Sequence, residues 1–167
     1  MLETPNLILR RFTVDDAAFI FELLNTPTWK QFIGERNINT LQDAVNYINN
    51  VLANYYDKYG YGPWLVMLKE GNKPIGMCGL FKRDYLELPD IGFAFLPEFA
   101  GKGLAYESCT AVLGTLRKKF ALNSIFATTT DANIRSQSLL EKCGFIYQEN
   151  ITTTEGDHLR LYRVVLP

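Results

Sequence analysis

The chain has 167 residues, enough for one domain with a sizeable buried core. Hydrophobic residues make up 47% and charged residues 21%, a globular balance that excludes a disordered chain. The net charge is -1 and the basic runs are short, so nucleic acid is not predicted as a partner. No apolar run reaches the ~18 residues of a membrane span, and the N-terminus lacks the pattern of a signal peptide. We therefore expect a cytoplasmic protein with no membrane partner.

The predicted helices and strands follow from the spacing of hydrophobic residues, which changes along the chain. Two predicted helices begin with capping-box patterns, Thr13 with Asp16 and Thr40 with Asp43. In chain order, the periodicity predicts a strand over 6–12, a helix over 13–24, an interruption rich in Pro and Trp over 25–37, a helix over 40–60, a two-stranded hairpin over 63–83, a strand over 90–97, a helix over 104–120, a strand over 124–130, a helix over 133–143 and two final strands over 145–152 and 158–166.

This order, β-α-α-β-β-β-α-β-α-β-β, predicts a single α/β domain over residues 1–167. Strands occur both as hairpins and as strand-helix-strand units, which implies a mixed sheet with helices on both faces. The unit over residues 90–130 should be a right-handed crossover that joins parallel strands. No repeat, low-complexity tract or linker divides the chain.

The three cysteines are Cys78, Cys109 and Cys143, far apart in the sequence and each in an apolar context. This pattern predicts buried, reduced thiols. The chain has one histidine and no Cys-x-x-Cys motif, so no metal site is predicted.

The stretch FLPEFAGKGLAYES, residues 95–108, places two glycines between a strand and a helix. It is not a P-loop, which needs the pattern GxxxxGK followed by Ser or Thr, because Gly103 is followed by Leu104 and no glycine stands at the required place upstream. It is not a dinucleotide fingerprint, because the third glycine is missing. Two interpretations remain at this point. The glycines either form a cradle of backbone N–H groups for an anion or only provide a tight turn.

A second motif is NIRSQSLLEKCGF, residues 133–145. Alone it predicts a short helix with Asn133 as N-cap, Ser136 at the capping-box distance and a glycine at its end. At this spacing after the glycine loop, it resembles the GNAT N-acetyltransferase superfamily, nearest to the ribosomal-protein N-terminal acetyltransferase (RimJ/RimL-type) branch. The opening stretch over residues 2–17 resembles that branch too. The resemblance implies a GNAT-like three-layer fold with a mixed, mostly antiparallel sheet.

The resemblance implies acetyl-CoA as cosubstrate and no metal. The loop then grips the pyrophosphate, the preceding strand pairs with the pantetheine arm, and the start of the later helix touches the cofactor. Glu98 stands where the family has Gln or Arg, which leaves the backbone cradle in place. For Lys102, a phosphate contact and a solvated side chain both remain open. The implied cofactor-binding residues are Phe93, Ala94, Phe95, Phe99, Ala100, Gly101, Lys102, Gly103, Leu104, Ala105 and Asn133.

The resemblance also implies direct attack of a primary amine on the thioester carbonyl. The Tyr that protonates the leaving thiolate in many members is Leu140 here, and Ser136 matches the Ser of the ribosomal branch. Asp90 and Glu155 are the candidates for the general base, and deprotonation through water without a dedicated base is the third option.

The acceptor implied by the resemblance is a protein N-terminus, an amino acid or a small amine. Monomer and homodimer both remain open. Two rival hypotheses are a non-catalytic acyl-CoA-binding module of the same fold and an unrelated α/β nucleotide-binding protein.

Overall fold

The computed structural model describes residues 1–166, except for the side chain of Arg117. A sheet of eight strands runs through the molecule in the spatial order β1-β2-β3-β4-β5-β6-β8-β7. All neighbours pair antiparallel except β5 and β6, which are parallel as predicted. The strands are β1 Leu2–Glu3, β2 Leu7–Arg10, β3 Pro63–Leu68, β4 Lys73–Phe81, β5 Asp90–Phe95, β6 Ser124–Thr129, β7 Ile146–Thr152 and β8 His158–Val165.

Helices cover both faces of this sheet, as the three-layer prediction requires. One core lies between the sheet and the first three helices, and a second lies under the last two. Successive strand residues alternate between them: Leu65 belongs to the first core and Val66 to the second. The helices are α1 Ala17–Leu24, α2 Pro27–Phe32, α3 Leu41–Tyr47, α4 Ala53–Tyr59, α5 Leu104–Phe120 and α6 Ile134–Lys142.

The predicted fold class is confirmed, and the prediction differs from the structure in three details. The segment over 25–37, which was predicted as an interruption between two helices, contains α2. This helix forms because Pro27 stands at the first helical position and the Thr26 hydroxyl accepts the Trp29 N–H at 3.3 Å. The predicted helix over 40–60 is divided into α3 and α4 by a π-helical segment, Ile48–Leu52. The short strand β1 was not predicted.

Both predicted capping boxes are confirmed. The Asp16 carboxylate accepts the Thr13 backbone N–H at 2.8 Å at a short 3₁₀ turn that leads into α1. The Asp43 carboxylate accepts the Thr40 N–H at 2.9 Å, and the Thr40 hydroxyl accepts the Asp43 N–H at 3.0 Å. These bonds satisfy helix-end donors that would otherwise lack partners.

Glu107 fastens the start of α5 to the turn between β1 and β2. Its carboxylate accepts hydrogen bonds from the Thr4 hydroxyl, the Asn6 backbone N–H at 2.9 Å and the Asn6 side-chain amide at 3.0 Å. Desolvation acts to raise the pKa of Glu107, but these hydrogen bonds outweigh it and the pKa is lowered. The anchor is therefore strongest when Glu107 is ionised.

We expect Glu107→Gln to lower the free energy of unfolding by about 1–2 kcal/mol at neutral pH, because hydrogen bonds to a charged, partly exposed acceptor are lost. Since the folded-state pKa lies below the unfolded value, the wild-type advantage is present above about pH 4.3 and disappears as the pH falls through the folded-state pKa. Urea unfolding at neutral pH and at about pH 3.5 measures the difference, with the exposed Glu141→Gln as control. An equal loss at both pH values would contradict this assignment.

Candidate active site

The sheet opens between β5 and β6. Strand β5 pairs with β4 over its whole length, from Asp90 opposite Phe81 to Phe95 opposite Gly76. Against β6 it has one registered pair, Asp90 with Phe126. The edge of β5 that faces β6 is therefore free beyond this pair in the described part of the chain, and its backbone groups are available to an extended ligand. The predicted residues Phe93, Ala94 and Phe95 lie on this free stretch, and all three are half-buried.

The glycine loop lies where the opened strand ends. Gly101 and Gly103 have φ values of 75° and 78°, in the left-handed region that favours glycine. Within residues 1–166, no backbone carbonyl accepts the N–H of Gly101, Lys102 or Gly103. Gly103 is the N-cap of α5, so these donors adjoin the free N–H groups of a long helix. The loop is exposed and suits an anion such as a phosphate.

The side chains around the loop divide into packing groups and cations. Leu104 is buried in the core, so its predicted role in binding the cofactor depends on its backbone N–H group. Ala105 is half-buried. Two ammonium groups lie near the Phe99 ring: Lys102 Nζ is 5.4 Å from its centroid and Lys73 Nζ is 4.9 Å from it. Ala100 is exposed in extended backbone just before Gly101.

Two cations near the loop were missed by the sequence reasoning. Lys73 begins β4, and Lys142 ends α6 with its Nζ 4.4 Å from the centroid of the Tyr106 ring in the first turns of α5. Neither position is close to the glycines in the sequence. Strand register and helix packing bring them there, so no local motif marks them.

The start of α6 is firmly held. The Asn133 side-chain oxygen accepts the Ser136 backbone N–H at 3.2 Å, which confirms the predicted cap. Gln137 Nε2 donates to the backbone oxygens of Thr130 and Asp131 at 3.1 and 2.9 Å and fixes the turn before the helix. Ser136 is half-buried, and its hydroxyl makes no hydrogen bond to the described residues. That hydroxyl is free to donate to a ligand.

Asp90 lies at the first position of β5, roughly 16 Å along the strand from Phe95. Its side chain is 3% exposed and accepts a hydrogen bond from Arg83 Nε at 3.2 Å. Burial raises the pKa of Asp90, and the charge of Arg83 opposes that shift. The Arg83 guanidinium also stacks over the Phe81 ring at 4.6 Å. The result is a largely buried carboxylate held by one arginine.

Glu155 is exposed in the turn between β7 and β8. The neighbouring Thr154 hydroxyl donates to the Asp84 carboxylate at 3.2 Å, and Asp84 directly follows Arg83. The structure thus brings the turn that contains Glu155 to the same segment that holds Asp90. Asp90 lies at the paired end of the opening, and the glycine loop follows the other end of β5.

The aromatic residues of the N-terminal helices mostly pack against one another. Tyr56 is buried and makes an edge-to-face contact with the half-buried Trp64, and Tyr61 contacts Phe120 at the end of α5. A cavity of about 400 Å³ lies among these residues, at the end of α5 opposite the glycine loop, so it is separate from the candidate site. Tyr55 points the other way, with its ring 5.4 Å from Phe81, next to Arg83.

Taken together, an opened parallel strand pair, a glycine turn and the N-terminus of a long helix form a candidate site with the features that suit an extended ligand with a phosphate end. The chain matches the family model described as the acetyltransferase (GNAT) domain over residues 6–146. It therefore belongs to the GNAT acetyltransferase family.

Individual relatives agree with this assignment. The uncharacterized N-acetyltransferase YoaA of Bacillus subtilis (strain 168) is 29% identical over 146 residues, covering 87% of this chain and 82% of that protein. The fold is similar to a Vibrio cholerae structure provisionally named a ribosomal-protein-serine acetyltransferase (TM-score 0.81, 16% identity, 98% and 96% of the two chains covered). It is also similar to AAC(6')-Ib, whose structure contains paromomycin and acetyl-CoA (TM-score 0.78, 23% identity, 95% and 93% covered).

Within the described residues, none of the helices has the length and apolar character needed to cross a membrane. The same part of the chain contains no group of three His, Cys, Asp or Glu side chains arranged to hold a metal ion.

Proposed function

We propose that this protein is an acetyl-CoA-dependent N-acetyltransferase that transfers the acetyl group to a primary amine in a ternary complex. The observation that carries the proposal is the opening between β5 and β6, which ends at a loop of unpaired N–H groups. Such a site accommodates a long ligand whose charged end is anionic and whose reactive end lies between strands. Family membership supports acetyl transfer, and AAC(6')-Ib has been observed with acetyl-CoA.

The loop residues fit the pyrophosphate of acetyl-CoA. The N–H groups from Gly101 to Ala105 would donate to phosphate oxygens, and the glycines keep side chains away from that approach. Lys73, Lys102 and Lys142 would add positive charge around the phosphates. The free edge of Phe93 to Phe95 would pair with the amide groups of the pantetheine arm, and Asn133 would flank the same arm from α6.

Acetyl transfer has three chemical requirements that these residues can meet. The amine must lose a proton, because an ammonium has no lone pair. The oxyanion formed on attack needs positioned donors, which backbone N–H groups of the free β5 edge would supply. The CoA thiolate needs a proton as it leaves, and the unpaired hydroxyl of Ser136 would donate it.

For the general base, Asp90 and Glu155 are the two candidate residues, and deprotonation through water without a dedicated base is the third option. The raised pKa of Asp90 brings that carboxylate closer to neutral pH, which suits a base. Because Asp90 is 3% exposed, the amine proton would reach it through a water. Glu155 is exposed and would contact the acceptor directly if the acceptor enters over the hairpin turn.

The pH profiles of kcat/KM for Asp90→Asn and Glu155→Gln separate these roles, since the acidic limb of the profile disappears when the true base is removed.

The acceptor is a protein N-terminus, an amino acid or a small amine. Ser136 in the N-x-x-S position and the opening sequence support the ribosomal-protein branch, as does the fold shared with the Vibrio cholerae protein. The AAC(6')-Ib complex shows that the same fold accepts an aminoglycoside in another protein. Both kinds of acceptor present a primary amine.

A thiol-release assay tests the proposed function. Purified protein with acetyl-CoA should release free CoA thiol when a panel of peptides, amino acids, aminoglycosides and small amines supplies the acceptor. Binding of acetyl-CoA with no amine-dependent release would favour the non-catalytic acyl-CoA module. Tight ATP binding without CoA binding, measured by calorimetry, would overturn the assignment of the loop.

Ser136→Ala should reduce kcat about 10- to 100-fold, because the leaving thiolate loses its proton donor. The KM for acetyl-CoA should change less than about twofold, since the Asn133 cap and the backbone donors remain. Ser138→Ala is the matched control, because Ser138 is exposed on the same helix. Wild-type turnover in Ser136→Ala would remove Ser136 from the mechanism.

A further inference from the structure

The second core ends in a cavity of about 400 Å³ at the end of α5 opposite the glycine loop. The register of β2 with β3 pairs Arg10 with Leu65. Continued by one residue, it brings Arg11 opposite Trp64, and cross-strand neighbours share a face of the sheet. Trp64 packs against the second core, so this is the face that α5 covers. Phe120, the last residue of α5, lines the same cavity.

Aromatic rings form much of the cavity wall. Tyr61, Trp64 and Phe120 are half-buried, and the rings of Tyr61 and Phe120 meet edge to face with their centroids 6.0 Å apart. Tyr56 and Trp64 meet in the same way at 6.2 Å. The Tyr56 hydroxyl already donates to the backbone oxygen of Pro63. A wall of this kind suits the flat, apolar body of a small ligand.

Two basic side chains, Arg11 and Lys119, line the same cavity, and none of the described lining residues is a carboxylate. Neither side chain forms an ion pair with the described residues 1–166. The Arg11 guanidinium lies 4.4 Å from the centroid of the Tyr56 ring, and it donates no hydrogen bond within that part of the chain. The cavity thus combines an aromatic wall with positive charge that the described protein does not neutralise.

We propose that this cavity is a second binding site, for a small aromatic carboxylate whose ring packs against Trp64 and Tyr61 and whose charge pairs with Arg11 and Lys119. Aromatic rings alone would also suit an ammonium ligand. Here Arg11 already lies over Tyr56, so a further cation would be repelled. A guanidinium presents its N–H groups as a fork that matches both oxygens of a carboxylate.

The site is distinct from the candidate active site. Helix α5 has 17 residues, Leu104–Phe120, and is therefore about 25 Å long, with the glycine loop at one end and the cavity at the other. The inference rests on the cavity alone and does not depend on the proposed acetyl transfer. Binding of CoA and binding of the aromatic carboxylate should therefore not compete.

Lys119 also has a structural explanation, because cations in the last turn of a helix interact favourably with its dipole. Lys118 provides the comparison that separates the two roles. It stands one residue earlier on α5, is equally exposed and does not line the cavity. The dipole predicts the same effect for both lysines, whereas the binding site predicts an effect on affinity for Lys119 only.

Calorimetry with matched probes tests the inference. 3-Phenylpropionate and its neutral amide, 3-phenylpropionamide, are titrated into the wild-type protein without acetyl-CoA. We expect the carboxylate to bind about tenfold more tightly than the amide, because only the carboxylate accepts charged hydrogen bonds from Arg11. Saturating CoA should leave this affinity unchanged, and excess 3-phenylpropylamine should not displace the carboxylate. No binding of 3-phenylpropionate, equal binding of the amide, or displacement by CoA or by the amine would overturn the proposal.

Three variants locate the binding. Arg11→Gln should weaken binding of 3-phenylpropionate about tenfold, and Lys119→Gln about threefold. Lys118→Gln is the matched control and should keep the wild-type affinity. All three side chains are exposed, so we expect these variants to fold. Wild-type affinity in Arg11→Gln, or equal losses in Lys118→Gln and Lys119→Gln, would place the probe outside the cavity and overturn the proposal.

Discussion

Gly101→Glu is expected to weaken binding of acetyl-CoA and CoA about a hundredfold, equivalent to about 2.7 kcal/mol. The new carboxylate would stand at the loop whose unpaired N–H groups face the proposed pyrophosphate, so it repels the same anion that the loop attracts. Glutamate at φ 75° also strains the loop by about 1–2 kcal/mol and disturbs the direction of the donors. Calorimetry at fixed salt concentration measures the affinity.

Gly60→Glu is the control for this variant. Gly60 has the same φ of 75°, is exposed and has no neighbouring atom within 4 Å of an added Cβ, as is also true of Gly101. It lies at the end of α4, away from the glycine loop. The two variants therefore carry equal strain and charge, and only Gly101→Glu should lose cofactor affinity. Equal affinities in both would exclude the loop as the phosphate site.

Arg83→Met is expected to lower the free energy of unfolding by about 3–5 kcal/mol at about pH 8. Methionine retains most of the aliphatic packing over Phe81 but removes the donor to Asp90, which is 3% exposed. A buried carboxylate without a partner is costly only when charged. Because burial raises the folded-state pKa of Asp90 above its unfolded value, the cost is largest above that pKa and shrinks as the pH falls through it.

Urea unfolding at about pH 8 and at about pH 5 measures this dependence. The double variant Arg83→Met with Asp90→Asn should recover much of the lost stability at the higher pH, since no buried charge remains. A loss that is independent of pH, and is not relieved in the double variant, would mean that Arg83 contributes through packing rather than through charge.

Local motifs in the sequence made the glycine loop and the start of α6 predictable. The glycines at 101 and 103 and the Asn133 cap each belong to a short stretch whose backbone conformation its own residues dictate. The strands and long helices were predictable for the same reason, since their hydrophobic period is local. The missed helix α2 shows the limit: a proline that ends one helix also begins another when it stands at the first position.

The remaining parts of the site depend on tertiary structure. Lys73 reaches the Phe99 ring because of strand register, and Lys142 reaches Tyr106 because α6 packs beside α5. The Arg83–Asp90 pair joins a loop to a strand start, and no residue period predicts that contact. The cysteines are the clearest case: they were predicted as buried thiols and no contact between them was predicted, whereas the Sγ atoms of Cys78 and Cys109 are 3.8 Å apart and Cys143 is only half-buried.

The single registered pair between β5 and β6 also has a consequence for where the sheet opens. On one side, β3, β4 and β5 are joined as consecutive hairpins, and on the other β7 and β8 form a hairpin to which β6 pairs. Six registered pairs join β4 to β5 and six join β6 to β8, whereas one pair joins β5 to β6. We infer that this seam is the first part of the sheet to separate, and that both groups of strands stay intact when it does.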